Sequence, residues 1–201
     1  WTMTLDPAAV GLLQQMEDAG MPALNEMTPE EARIAAGGFV ELGGPGDDIA
    51  SSQDRVIAGP AGDIPVRVYT PHGSGPFGCL VYFHGGGWVI GDIEGTNAIC
   101  RTVAARAGCK VVSVGYRLAP EFKFPVPLDD CYAATEWVVE NAAEIGIDGS
   151  KIAVGGDSAG GNLAAAVAIK ARDADGPAIA LQVLVYPVTN HSYDTQSYKD
   201  N

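Results

Sequence analysis

The stretch Gly156-Asp157-Ser158-Ala159-Gly160 decides the fold. An apolar strand pattern at residues 151–154 precedes it, and a helix pattern follows it at once. On such a sharp strand-to-helix turn a serine points its hydroxyl away from the backbone, and flanking glycines avoid collisions with the neighbouring strand and helix. The start of the helix adds partial positive charge where an oxyanion would form. The pattern therefore predicts that Ser158 is a catalytic nucleophile, rather than a capping serine in a glycine-rich turn.

A second glycine-rich stretch, His84-Gly85-Gly86-Gly87-Trp88, follows an apolar strand pattern at residues 79–83. Acyl transfer needs backbone N–H groups that are free to face a developing negative charge, and glycine has no side chain to block the approach. Ala159, directly after the predicted nucleophile, offers one more N–H group. We interpret His84 as bracing this loop rather than as the catalytic base, because it precedes the serine and lies within the loop motif.

Glycines after a strand also bind phosphates, so a nucleotide site is the competing interpretation of these stretches. Gly85, Gly87 and Gly91 are spaced G-x-G-x-x-x-G, whereas dinucleotide-binding folds use G-x-G-x-x-G. The next strand ends in Gly115-Tyr116-Arg117 without an acidic residue for a ribose, and neither glycine cluster contains Gly-Lys-Ser/Thr. The spacing therefore argues against a nucleotide cofactor.

The order of the apolar segments indicates an α/β fold. A strand-turn-strand pattern at residues 55–69 predicts an opening antiparallel hairpin. Patterns typical of buried parallel strands follow, separated by helix-length segments, at residues 79–83, 110–114, 151–154 and 180–186. Such alternation predicts a mostly parallel sheet with flanking helices and right-handed crossovers.

Helix-start signals dominate the first 46 residues, which end at the breaker Gly43-Gly44-Pro45-Gly46. Asp6-Pro7 and Thr28-Pro29-Glu30-Glu31 each place a capping side chain before a proline, and Glu31 completes a capping box. All four methionines lie in this segment, at positions 3, 16, 21 and 27. They suit either a mobile lid over a binding site or ordinary core packing.

Composition excludes several classes of partner. The net charge of −13, from 12 Lys and Arg against 25 Asp and Glu, would repel nucleic acid and anionic membrane surfaces. The longest apolar runs fall short of the ~18 to 20 residues of a membrane span, and no basic start with an apolar stretch opens the sequence. We therefore expect a soluble cytoplasmic protein that binds neither nucleic acid nor membrane. A homo-oligomer is compatible with the sequence, which does not specify one.

The cysteines and histidines indicate no metal site. The four cysteines have apolar neighbours and no CxxC spacing, so we expect buried free thiols rather than disulfides or a zinc site; they are Cys79, Cys100, Cys109 and Cys131. The three histidines share no close metal-ligand spacing; they are His72, His84 and His191. The sequence therefore predicts no metal and no cofactor.

Both glycine-rich stretches, together with Tyr116-Arg117-Leu118-Ala119-Pro120-Glu121 and Phe124-Pro125, resemble motifs of the hormone-sensitive-lipase family of bacterial carboxylesterases. The resemblance runs from the N-terminal helices to about Pro187. It implies an α/β-hydrolase fold in which Ser158 is the nucleophile. It also implies an oxyanion hole and a set of supporting motif residues. The oxyanion hole is formed by the N–H groups of Gly86, Gly87 and Ala159, and the supporting residues are His84, Gly85, Trp88, Gly156, Asp157 and Gly160.

The same resemblance implies the domain organisation and the substrate class. Residues 1–46 correspond to an N-terminal helical cap segment over the acyl pocket, 47–187 to the N-terminal part of the α/β-hydrolase core, and 188–201 to the start of a second cap segment. Small-molecule acyl esters of short to medium chain length are the implied substrates, without a cofactor. We interpret Arg117, Glu121 and Asp157 as bracing loops through hydrogen bonds.

The sequence departs from the family where the rest of the catalytic triad should follow. The mechanism needs an acid and then a histidine after the serine. The only later histidine is His191, and the acids before it, Asp173 and Asp175, lie around the end of a helix. We therefore interpret His191 as a cap residue and expect the C-terminal third of the enzyme, with its strands, its acid and its histidine, to be absent from this sequence.

Three functional hypotheses are compatible with these motifs. The leading hypothesis is a serine carboxylester hydrolase that forms an acyl-enzyme on Ser158. An amidase or thioesterase would use the same site, because the motifs do not specify the leaving group. A non-catalytic hydrolase-fold protein could bind a small ligand when the triad is broken. The intact Ser158 and glycine loop argue against the last, since a binding protein has no need of an oxyanion hole.

Overall fold

A computed structural model describes residues 5–18, 20, 22–38 and 40–200. Six strands in the described chain form one sheet in the order β1-β2-β4-β3-β5-β6. The first two contacts, β1 with β2 and β2 with β4, are antiparallel, and the other three are parallel. The strands are β1 Ser51–Gly59, β2 Gly62–Thr70, β3 Phe77–Phe83, β4 Lys110–Val114, β5 Ile147–Asp157 and β6 Leu181–Val185. The predicted α/β fold, with its antiparallel opening hairpin and mostly parallel sheet, is confirmed.

Helices cover both faces of the sheet. The helices are α1 Pro7–Asp18, α2 Pro29–Gly37, α3 Asn97–Ala107, α4 Val126–Glu140, α5 Ala159–Asp173 and α6 Gln196–Asp200, with short 3₁₀ turns at Leu24–Glu26 and Val40–Gly43. One buried cluster joins α4 and α5 to the sheet through side chains such as Cys131, Val138 and Val167. A second cluster joins α3 to the opposite face through Cys100 and Ala104. The central strands therefore have helices packed on both faces, as is typical of an α/β fold.

The N-terminal helices begin where the capping signals predict. Asp6 accepts a hydrogen bond from the Ala8 N–H at 2.8 Å, and α1 starts at Pro7. Thr28 and Glu31 form the reciprocal capping box before α2. None of the α1 residues is buried, whereas α2 buries Ala32 against the rest of the protein. The division of the chain at residues 46 and 187 stays a prediction.

The edge strand β6 differs from its predicted environment. The apolar run at 180–186 predicts a strand buried on both faces, yet all five residues of β6 are exposed, with Leu181 at 58%. In the described chain β6 pairs with β5 alone and lies at the edge of the sheet. An apolar run specifies what a strand can bury, but not how many neighbours it has. Among the described residues, no helix is long and apolar enough to cross a membrane.

Candidate active site

Ser158 lies on a sharp turn between β5 and α5. Its backbone has φ 52° and ψ −117°, a region that side-chain-bearing residues rarely adopt. The Ser158 N–H donates to the Val185 carbonyl at 2.9 Å, and the Ser158 carbonyl accepts from the Val188 N–H at 3.2 Å. The end of β6 and the segment after it therefore hold this strained turn, although they lie well beyond it in the sequence.

The glycines beside Ser158 are required by close packing. A Cβ atom at Gly156 or at Gly160 would collide with the carbonyl oxygen of Phe83, the last residue of β3. At Gly161 it would lie 2.9 Å from the Pro187 side chain. The chain thus passes between two backbone segments with no room for side chains. This packing explains the glycine-rich pattern that predicted the turn.

The second glycine-rich stretch forms a tight turn with free donors. Gly86 has φ 111°, and its carbonyl accepts from the N–H groups of Val89 and Ile90 at 3.0 and 2.9 Å. Because the peptide unit is planar and trans, the Gly87 N–H points away from that carbonyl. Within the described chain, the N–H groups of Gly86, Gly87 and Ala159 donate no hydrogen bond. These three donors are available to a bound anion.

Asp157 ties the serine turn to the second glycine-rich stretch. Its Oδ1 accepts from the Tyr82 hydroxyl at 2.7 Å and from the Gly85 N–H at 3.1 Å. Burial, reinforced by the hydrogen bond to Asp157, raises the pKa of Tyr82, so its hydroxyl stays protonated and donates. A Cβ at Gly85 would collide with the Asp157 carboxylate. One side chain therefore fixes the distance between the two loops.

His84 packs beneath the glycine loop. It is 1% exposed, and its ring stacks on Tyr116 with centroids 4.3 Å apart. Its Nδ1 lies 2.7 Å from the Gly85 carbonyl; because a carbonyl only accepts, Nδ1 carries the proton. The Tyr116 hydroxyl donates to the His84 carbonyl at 2.7 Å. Burial lowers the pKa of His84, which keeps the ring neutral near pH 7. These contacts favour a bracing role.

The structure brings no base to the serine. In residues 5–18, 20, 22–38 and 40–200, no histidine or carboxylate forms a hydrogen bond with the Ser158 hydroxyl. His72 instead pairs with Asp48 at 2.8 Å. His191 lines a cavity of about 380 Å³ together with Trp88 and Asn162.

An apolar cavity of about 410 Å³ opens beside the free donors. Its walls come from the glycine loop, the start of α4 and one face of α5. They include Gly87, Trp88, Phe124, Leu128, Leu163 and Ala166. No residue of α1 or α2 lines it. Met16 and Met27 are half-buried and lie elsewhere, while Met3 and Met21 fall outside the described residues.

Sequence reasoning missed Arg33, which joins α2 to the loops around this site. Its guanidinium donates to the carbonyls of Val89 and Ala119 at 2.8 and 2.9 Å, and to both carboxylate oxygens of Glu121. Glu121 was expected to brace a loop, and Arg33 is its partner. Arg117 similarly pairs with the fully buried Asp130. No local signal links Arg33 to residues 56 to 88 positions away.

Comparison with known proteins places this geometry among hydrolases. A family model described as the alpha/beta hydrolase fold matches residues 80–201. The carboxylic ester hydrolase LipN of Mycobacterium tuberculosis is 47% identical over 149 residues, which are 72% of this chain and 40% of LipN. An arylesterase of Saccharolobus solfataricus is 39% identical over 171 residues, 85% of this chain and 56% of that protein.

A solved structure of an ester hydrolase also resembles this chain. The ester hydrolase EH1AB1, from the metagenome of Lake Arreo, superposes with a TM-score of 0.91 at 40% identity. The match covers 96% of this chain and 64% of that one. The chain therefore spans less than two thirds of the length of each of these three proteins.

Proposed function

We propose that this chain, which belongs to the α/β-hydrolase-fold family, is a serine carboxylester hydrolase. Its ester-hydrolase relatives confirm the resemblance to the hormone-sensitive-lipase family. One observation carries the proposal. The Ser158 turn and the Gly86 turn are tied together by Asp157, and three N–H donors around them are unused. Such donors suit an oxyanion that forms only during reaction.

In the proposed reaction, the Ser158 hydroxyl attacks the ester carbonyl while a general base takes its proton. The tetrahedral oxyanion accepts hydrogen bonds from the N–H groups of Gly86, Gly87 and Ala159. The intermediate collapses with loss of the alcohol, to which the base returns the proton, and leaves an acyl group on Ser158. Water, activated by the same base, then releases the carboxylic acid and restores the serine.

The base and the acid that orients it come, in this proposal, from a C-terminal segment beyond residue 201. Three observations support it. His84 is buried with its Nδ1 proton on Gly85, His72 is paired with Asp48, and His191 makes no hydrogen bond to Ser158. Each described histidine is thus engaged elsewhere or not bonded to the nucleophile.

Short- to medium-chain acyl esters are the proposed substrates. The cavity of about 410 Å³ next to Gly87 is mainly apolar, and the side chain of Phe124 lies at its wall. An acyl chain would gain from leaving water there, at about 0.8 kcal/mol per buried methylene until the cavity is full. Relative rates on p-nitrophenyl esters from acetate to palmitate should rise and then fall with chain length. A continued rise on long, emulsified esters would instead point to a lipase.

Loss of the hydroxyl tests the nucleophile. In the natural full-length protein, Ser158→Ala should lower kcat on p-nitrophenyl butyrate by at least ~10⁴-fold, because no acyl-enzyme can form. Ser150→Ala is the matched control: Ser150 hydrogen bonds to Asp148 at the other end of β5, and its loss should leave kcat unchanged. Substantial turnover by Ser158→Ala would overturn the assignment.

The cellular setting is also part of the proposal. All four cysteines are unpaired, and three of them are buried, which suits a reducing compartment such as the cytoplasm. A homo-oligomer stays a prediction. Fractionation of the source cells and sedimentation of the purified protein would decide these two points.

A further inference from the structure

We propose that Arg33 is a positioning residue for ester hydrolysis, holding the turn at residues 86–90 in the form that directs the N–H groups of Gly86 and Gly87 at the oxyanion. The inference rests on the proposed function. It concerns a residue of the N-terminal helix α2, 53 positions before Gly86 by residue number. Arg33 touches no reacting atom in this proposal and acts through the loop that it holds.

The guanidinium of Arg33 binds two loops at once. Its Nε donates to the Val89 carbonyl at 2.8 Å, and its Nη2 donates to the Ala119 carbonyl at 2.9 Å. The Ala119 N–H in turn donates to the Trp88 carbonyl at 2.9 Å. Arg33 therefore joins a contact that already links the glycine loop to the loop at residues 116–121. A planar group with five donors can serve such separate acceptors, whereas a lysine cannot.

The hydrogen bond from Arg33 to the Val89 carbonyl is the contact that acts on the turn at residues 86–90. The N–H of Val89 closes the turn on the Gly86 carbonyl at 3.0 Å, so this residue is held on both sides of its backbone. Among the described residues, Arg33 is the only donor to the Val89 carbonyl. Without Arg33 the Val89 carbonyl loses its partner, and the backbone of Val89 is then held through its N–H alone.

Glu121 fixes the direction of the guanidinium. Its two oxygens accept from Nη1 and Nη2 of Arg33 at 2.9 and 2.7 Å, a two-pronged geometry with high directional specificity. The hydrogen bond from Arg33 is the main cause that lowers the pKa of Glu121 to about 2, so the carboxylate stays charged near neutral pH.

An exposed ion pair by itself contributes little to stability. A second exposed arginine–glutamate pair can therefore serve as a matched control. Arg55 pairs with Glu144 at 2.9 Å on another part of the surface. The exposed fractions of its two side chains, 33% and 66%, are close to the 31% and 51% of Arg33 and Glu121. Unlike Arg33, Arg55 donates no hydrogen bond to a loop carbonyl in the described part of the chain. The two arginines therefore form ion pairs of similar exposure, but of the two only Arg33 also binds loop carbonyls in the described part of the chain.

The test compares R33M, R33K and R55M in the natural full-length protein. We expect R33M to lower kcat on p-nitrophenyl acetate about 10-fold to 100-fold with KM changed less than about 3-fold, because oxyanion donors act mainly in the transition state. R33K should recover part of kcat, since an ammonium group can reach one acceptor but not all of them. R55M should retain the wild-type kcat.

A second measurement does not depend on activity. Hydrogen exchange of the Val89 and Ile90 amides should be at least ~5-fold faster in R33M than in the wild type, and unchanged in R55M. Should R33M fail to fold, R33K and E121Q carry the same comparison. A folded variant with a lower Tm but unchanged kcat and unchanged exchange at these amides would overturn the positioning role. A wild type without esterase activity would sink the proposed function, and the exchange data would still decide whether Arg33 holds the turn.

Discussion

The two glycine-rich loops of the site are held in different ways. The Ser158 turn is fixed by close backbone packing, since Gly156 and Gly160 leave no room beside the Phe83 carbonyl. The Gly86 turn also closes on itself, but it depends on side chains from distant positions, Asp157 and Arg33. The comparison shows that both loops can be recognised from their glycines, whereas the distant side chains that hold the Gly86 turn cannot be identified from the sequence of the loop.

The largest effect should come from filling the space under the Ser158 turn. Gly160→Ala places a Cβ against the carbonyl of Phe83, and backbone atoms cannot move aside cheaply. We expect the free energy of unfolding to fall by about 3 kcal/mol or more. Gly149→Ala, on the strand β5 that leads into the turn, is the control, because its Cβ would meet Ala142 at 3.4 Å, an ordinary contact. Urea unfolding measures both, and a fully stable Gly160→Ala would refute the packing argument.

A substitution in the Gly86 turn should affect catalysis more than stability. Gly86→Ala collides with the Ile90 carbonyl at a φ of 111°, so the turn must change shape and misdirect its donors. We expect kcat to fall by ~10²-fold with a smaller change in KM. Gly73→Ala imposes a similar strain, at φ 122°, in an open and remote turn, and should leave kcat intact. A loss confined to KM would show that the loop only positions substrate.

The bond between Tyr82 and Asp157 should have a moderate effect on stability. Tyr82→Phe leaves a carboxylate without one of its donors, and we expect a loss of about 1 to 2 kcal/mol in the free energy of unfolding. Tyr69→Phe is a close control, because the Tyr69 hydroxyl is buried without a hydrogen-bond partner among the described residues. Its removal should be neutral or stabilising. Equal losses from both variants would contradict the role assigned to the Asp157 contact.

The smallest effect concerns pH and the Arg33 contact. The pKa of Glu121 is lowered from 4.5 to about 2, chiefly by the hydrogen bond from Arg33. The stabilisation from this shift is therefore complete above pH 4.5 and disappears as the pH falls toward 2. The difference in urea midpoint between the wild type and Glu121→Gln should therefore be constant from pH 7 to 5 and shrink below 4.5. A difference in urea midpoint that grows toward acid pH would contradict the predicted loss of this stabilisation when Glu121 is protonated.

The sequence predicted the parts whose causes are local. The Ser158 turn follows from glycines and a strand-helix junction, and the capping box at Thr28 and Glu31 follows from two residues three positions apart. The strand β4 begins and ends at the predicted residues, 110 and 114. In each case the determining contacts lie within a few positions of one another, or within a repeating pattern.

The parts that escaped prediction depend on distant partners. Arg33 on α2 has an ordinary helical context, and only folding brings it to Val89 and Glu121. The exposure of β6 depends on its place in the sheet, which its own apolar residues do not encode. The assignment of Ser158 as nucleophile and of Gly86, Gly87 and Ala159 as the oxyanion hole stays a prediction.

The most direct test of the central claim is the intact mass of the natural full-length protein after reaction with a fluorophosphonate, followed by peptide mapping. The account predicts a single adduct on Ser158, because the same free N–H groups would donate hydrogen bonds to the phosphonyl oxygen during attack. It predicts no adduct in Ser158→Ala and a slower reaction in Gly86→Ala. An adduct at another residue, or an unmodified protein that still hydrolyses esters, would contradict it.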